Sequence, residues 1–81
     1  IGAKIFLSCE TDFVAKNPEF AALARSIAMQ VAAMDPENTD DLLEQSFIKD
    51  EGRTVRNLLN EATQKFGERI EISRFARLSA V

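Results

Sequence analysis

Residues 1–34 read IGAKIFLSCETDFVAKNPEFAALARSIAMQVAAM, and the change of period inside this stretch decides the fold. From Ile1 to Cys9 the odd positions carry Ile1, Ala3, Ile5, Leu7 and Cys9, while Lys4 and Ser8 fall on even positions with Phe6 as the exception. A period of two marks a strand with one face on a core. Phe6 on the polar side needs no special explanation, because single apolar residues are common on surfaces. From Asn17 the period becomes helical. Asn caps free amides, Pro18 fits a first turn without losing a needed donor, and Glu19 complements the helix dipole. Phe20, Leu23, Ala24, Ile27, Ala28, Val31 and Met34 then recur as one apolar stripe. Between strand and helix lies Glu10-Thr11-Asp12-Phe13-Val14-Ala15-Lys16-Asn17, a place where a scaffold presents a loop.

Further along, Asp35-Pro36-Glu37-Asn38 ends the long helix, since the residue before a proline resists the helical basin. A short helix is expected from Thr39 to Gln45. Phe47 and Ile48 form an apolar anchor before Lys49-Asp50-Glu51-Gly52, which reads as an exposed turn. Thr54 is the candidate cap of a third helix, in which Val55, Leu58, Leu59, Ala62 and Phe66 repeat at helical spacing until Gly67. Ile70 and Ile72 alternate with Arg69, Glu71 and Ser73 in a second strand, and Phe75 on the opposite parity calls for a bulge or a two-faced strand. The order is strand, long helix, short helix, helix, strand. Two strands alone are marginal in water, so helices must cover one face of the pair. The expected fold class is α+β: a small antiparallel sheet, two strands here within a three-stranded sheet, covered on one face by about three helices.

The chain of 81 residues suits a single domain, one that buries only about 60% of its unfolded surface. Apolar residues at 46% and charged residues at 28% are globular proportions, and no apolar run approaches the roughly 18 residues a membrane helix needs. A net charge of −3 argues against nucleic-acid binding. With no His and a single Cys, the chain lacks the residues of zinc clusters, Cys–His pairs and Ser–His–Asp triads, so an enzyme is not expected. Cys9 reads as a small buried apolar residue that cannot form an intrachain disulfide, and a cytoplasmic location follows as the simpler expectation. No targeting segment is visible, and the start at Ile1 rather than Met leaves room for an upstream part. Asp40, Asp41 and Glu44, like Asp50 and Glu51, lack the ligand alternation of a calcium loop, so no metal is expected. Arg69, Arg74 and Arg77 differ in parity and read as solubilising surface charges. Met29 and Met34 read as core fillers, and no cofactor is indicated.

The segment from Glu10 to Asn17 admits two readings. In one, Thr11 and Asp12 make a side-chain turn or cap and Phe13 folds back as a lid on the core. In the other, an aromatic anchor beside a charge awaits a partner pocket. An enzymatic use of Asp12 with Lys16 lacks a nucleophile and a second convergent base.

The run Glu10-Thr11-Asp12-Phe13-Val14-Ala15-Lys16-Asn17 resembles the signature of the elongation factor Ts family, and Ala28-Met29-Gln30-Val31-Ala32-Ala33-Met34 resembles the end of the helix that follows it there. Phe47-Ile48-Lys49-Asp50, Thr54-Val55, Gly67-Glu68 and Arg74-Phe75 continue the similarity in order. The resemblance implies a nucleotide exchange factor whose partner is elongation factor Tu, acting in a bacterial cytoplasm or an organelle matrix without a cofactor, nucleic acid or membrane. It makes Asp12 and Phe13 the pair that enters the GTPase domain, Thr11 and Val14 their supports, and Lys16 a rim contact. Residues 1–81 would be one core-type subdomain. Arg69 stands where the family usually has Asn, and Asp35 to Leu43 is short where many relatives carry a longer helical insertion. The family's amino-terminal helical module, a second subdomain and the hairpin partner of the first strand are not in the sequence. That missing strand motivates a second reading, a homodimer formed through an open sheet edge.

Overall fold

The alternation along the first nine residues is realised as a strand in the computed structural model, which describes residues 2–78. The elements run β1 (Gly2–Ser8), α1 (Asp12–Ala15), α2 (Pro18–Met34), α3 (Thr39–Glu44), β2 (Ser46–Phe47), β3 (Asp50–Thr54), α4 (Val55–Phe66) and β4 (Glu71–Leu78). In β1 the side chains of Ala3, Ile5 and Leu7 face inward and the even residues face out. Ile1, assigned to the same face by the sequence, lies outside the described residues.

β1 pairs antiparallel with β4, and the expected bulge is present. Phe6 faces Arg74 while Leu7 faces Ile72, which leaves Ser73 as the extra residue. Two consecutive outward residues, Ser73 and Arg74, reset the parity, so Ile72, Phe75 and Arg77 all lie on the inner side. The three arginines therefore diverge. Arg74 stacks on the ring of Phe6 across the ladder, 4.4 Å from its centroid, on the sheet's outer face. Arg77 turns inward, its Nε donating to the Ala32 carbonyl oxygen at 3.2 Å.

α2 covers the inner face of this sheet. It starts as its sequence demands: the Asn17 side chain accepts from the Glu19 N–H at 2.8 Å, with Pro18 in the first turn. It ends at Asp35, whose left-handed backbone (φ 46°) lets its N–H return to the Val31 carbonyl. α4 is capped by the Thr54 hydroxyl, which accepts from the Asn57 N–H at 3.2 Å, and closed by Gly67 at φ 70°. One core results, joining Val14, Phe20, Ile27 and Val31 to Leu42, Val55, Leu59, Ala62 and Ile70. Among the described residues no helix is long and apolar enough to cross a membrane.

The architecture is α+β, with differences from the expected plan. Among the described residues there are four helices, the one-turn α1 being unforeseen, and two separate two-stranded sheets. No third strand joins β1 and β4 there. The predicted turn at Lys49–Gly52 is displaced: Ile48 and Lys49 make the turn, and the residues from Asp50 onward belong to β3. Neither turn residue has a positive φ, so the turn types that match strand twist are not used. The ladder slips accordingly, with Ser46 opposite Thr54 and Phe47 opposite Asp50. Ile48 is exposed, leaving Phe47 as the buried half of the anchor.

Gln30, fully buried on α2, holds this hairpin in place. Its amide nitrogen donates to the Ser46 carbonyl at 3.0 Å and to Gln45 Oε1 at 3.1 Å, and its oxygen accepts from the Ile48 N–H at 2.9 Å. Met29 and Met34, expected as core fillers, are half exposed, because Gln30 and Val31 occupy the inward positions of that last turn.

Candidate functional site

After β1 the chain passes through Cys9, whose thiol donates to the Thr11 carbonyl at 3.4 Å, and reaches extended backbone at Thr11 (φ −136°, ψ 161°). Then α1 makes a single turn. The Ala15 N–H donates to the Thr11 carbonyl at 3.3 Å, the Lys16 N–H to that of Asp12 at 3.0 Å, and the Asn17 N–H to that of Val14 at 3.0 Å. Successive residues on a helix point about 100° apart, so one turn cannot bury both of its large apolar side chains. Val14 goes into the core at 6% exposure, and Phe13 stands in solvent at 90%. The lid reading of Phe13 is thus overturned; Val14 fills that place.

Asp12, Phe13 and Lys16 line one open concavity of about 240 Å³. Neither the Asp12 carboxylate nor the Lys16 ammonium is tied to another side chain among the described residues, so both charges remain hydrated and free to meet a partner. The five sequence-assigned residues come together: Asp12, Phe13 and Lys16 on the outer side, Thr11 at the base and Val14 beneath.

Two glutamates that sequence reasoning did not assign fasten the base. The Glu68 carboxylate accepts from the Glu10 N–H at 3.0 Å, from the Thr11 N–H at 2.9 Å and from the Thr11 hydroxyl, which therefore does not cap α1. Glu10 reciprocates by accepting from the Arg69 N–H at 2.7 Å. Arg69 contributes through its main chain, so the contact is indifferent to the exchange of Asn for Arg. The sequence signal for Glu68 was its place after Gly67, where the chain leaves α4 and reverses. A larger concavity of about 450 Å³ between α3, α4 and β4 is lined by none of the residues from Thr11 to Lys16, and its rim cations Arg56 and Arg69 are paired with Glu44 and Glu71.

The arrangement offers an apolar ring beside a carboxylate, on a fixed turn. Full burial of such a ring is worth roughly 1.5–3 kcal/mol.

Comparison with known proteins gives a consistent picture. The family model described as elongation factor TS matches residues 10–81. The elongation factor Ts of Trichlorobacter lovleyi is 40% identical over 79 residues, covering 98% of this chain and 25% of that protein. That of Aquifex aeolicus is 41% identical, covering 94% of this chain and 28% of that protein. That of Desulforamulus reducens is 34% identical over 122 aligned positions, covering 95% of this chain and 56% of that protein. Because that alignment is longer than the chain itself, this relative carries an insertion. The chain spans between about a quarter and just over half the length of these relatives.

Proposed function

The chain belongs to the elongation factor Ts family, and on that premise we propose that it promotes release of GDP from elongation factor Tu by inserting Phe13, flanked by Asp12, into the GTPase domain. The observation that carries this reading is the 90% exposure of Phe13 on an ordered turn. An aromatic side chain held in water beside a free charge is what the centre of a small interface uses as its anchor. Exchange by this route needs no covalent step. A protein that binds the nucleotide-free form of its partner more tightly than the GDP form must, by linkage, lower GDP affinity by the same factor. Thr11 and Val14 set the turn from below, and Lys16 is a rim contact that tunes association. Residues 1–81 act together as one core-type subdomain, in whichever compartment holds the translation machinery.

The test is release of fluorescent GDP from elongation factor Tu with the wild-type chain, Asp12→Ala and Phe13→Ala. The expected outcome is acceleration by the wild type and loss of it in both variants. Undiminished acceleration by Phe13→Ala would remove the mechanism.

A second reading, association of two copies, is favoured by one observation. Among the described residues β1 and β4 pair only with each other, so each keeps an open edge. Light scattering at high concentration decides: a monomer mass excludes it.

A further inference from the structure

We propose that Glu68 is a positioning residue, whose carboxylate, delivered from beyond the end of α4, orders the α1 turn and holds Phe13 outward ready to dock. The proposal rests on the docking role given to Phe13 above and explains how a turn so short keeps its shape.

An isolated helical turn does not hold itself. Nucleation is unfavourable by a factor of about 10⁻³, and α1 has only four residues. Its cap residue adds nothing locally, since the Thr11 side chain makes no bond to an α1 amide. What fixes the turn must come from outside it, and two contacts do so. Val14 is buried in the core, and three hydrogen bonds from Glu10 and Thr11 converge on the Glu68 carboxylate. Bonds to an ionised acceptor are stronger than neutral ones, and here two run to the main chain immediately before the helix. The return bond from the Arg69 N–H to Glu10 doubles the bracket. The left-handed Gly67 turns the chain so that Glu68 can follow this path.

Without the bracket, the turn would be ordered for only a fraction of the time, and an exposed ring on a loose segment would seek nearby apolar surface. The apparent dissociation constant for a partner rises as the inverse of the ordered fraction, whereas the docked complex, once formed, is unchanged. Glu68 thus governs how much of the chain is competent to dock, rather than the rate at which docked chains release nucleotide.

Amide exchange by NMR on the 81-residue chain tests the ordering directly, with Glu68→Ala and Glu68→Gln compared to wild type. In Glu68→Ala the Glu10, Thr11, Ala15 and Lys16 amides should lose their protection and exchange near the rate of an unstructured chain, at least about tenfold faster than in wild type, with Ile27 and Val31 in α2 within about twofold. Glu68→Gln should restore protection, because its oxygen can accept from both amides and its nitrogen can donate to the Thr11 hydroxyl. Unchanged rates at Ala15 and Lys16 in Glu68→Ala overturn the proposal; so does equal acceleration in α2, which would make the carboxylate a support of the whole fold. In GDP-release titrations Glu68→Ala should raise the half-saturating concentration about tenfold and leave the maximal rate intact. If Phe13→Ala is inactive while Glu68→Ala titrates like wild type, the docking reading stands and the positioning proposal falls. If the wild-type chain accelerates nothing, the docking reading falls and the amide rates alone decide the ordering.

Discussion

Phe13 and Val14 are adjacent, both apolar, and have opposite fates: one is 90% exposed and the other 6%. Their energetic roles should separate in the same way. Phe13→Ala removes almost no buried surface, so urea denaturation should show a stability within about 0.5 kcal/mol of wild type. Val14→Ala deletes two methyl groups from the core and should cost about 2 kcal/mol in the same measurement. The motif from Glu10 to Asn17 was legible as a site from its residue types and their place after a strand. The direction of Phe13 was not, because alternation and helical spacing both need several residues to establish a face, and α1 is one turn long. Glu68 was hidden for a different reason. Its bonds reach across 57 and 58 positions, and nothing local announces them.

At the scale of elements, legibility followed the presence of local chemistry. α2 began at Asn17-Pro18 and α4 ran between its Thr54 cap and Gly67 as read, because caps and glycine ends act through neighbouring backbone groups. The bulge in β4 was readable because a parity break leaves a mark in the side-chain pattern. The hairpin of β2 and β3 left no such mark: its turn residues are Ile48 and Lys49, neither a turn former, and its geometry is imposed from α2 by Gln30. Substituting Gln30→Leu puts an apolar side chain of similar size in its place but takes the partner from the part-buried Ile48 N–H and Ser46 carbonyl. A polar group left unpaired costs about 1–3 kcal/mol when fully buried and less when water can reach it, so a loss of roughly 1–3 kcal/mol is expected for the two together. Thermal unfolding followed by far-ultraviolet circular dichroism would measure it. A loss under about 0.5 kcal/mol would mean that the hairpin's turn, rather than Gln30, holds its shape.

The whole molecule has little stability to spare. At about 0.05–0.15 kcal/mol per residue, a chain of this length is held by roughly 4–12 kcal/mol. One core links the helices to the sheet, and Ile27, fully buried on α2, belongs to it. Removing three carbons there by Ile27→Ala should cost about 2–5 kcal/mol, enough to leave much of the chain unfolded at the low end of that range. Ile27 is fully buried and offers no surface to a partner, so its effect on exchange should pass through folding. Activity in the GDP-release assay should then fall in step with the folded fraction read by circular dichroism. It should recover when an osmolyte that strengthens burial, such as trimethylamine N-oxide, restores the fold. Phe13→Ala should behave in the opposite way, fully folded at the outset and inactive with or without the osmolyte. If Ile27→Ala stayed inactive after its fold had been restored, exchange would depend on the packing of the core beneath the turn as well, and the site would have to be drawn deeper than the turn that carries Phe13.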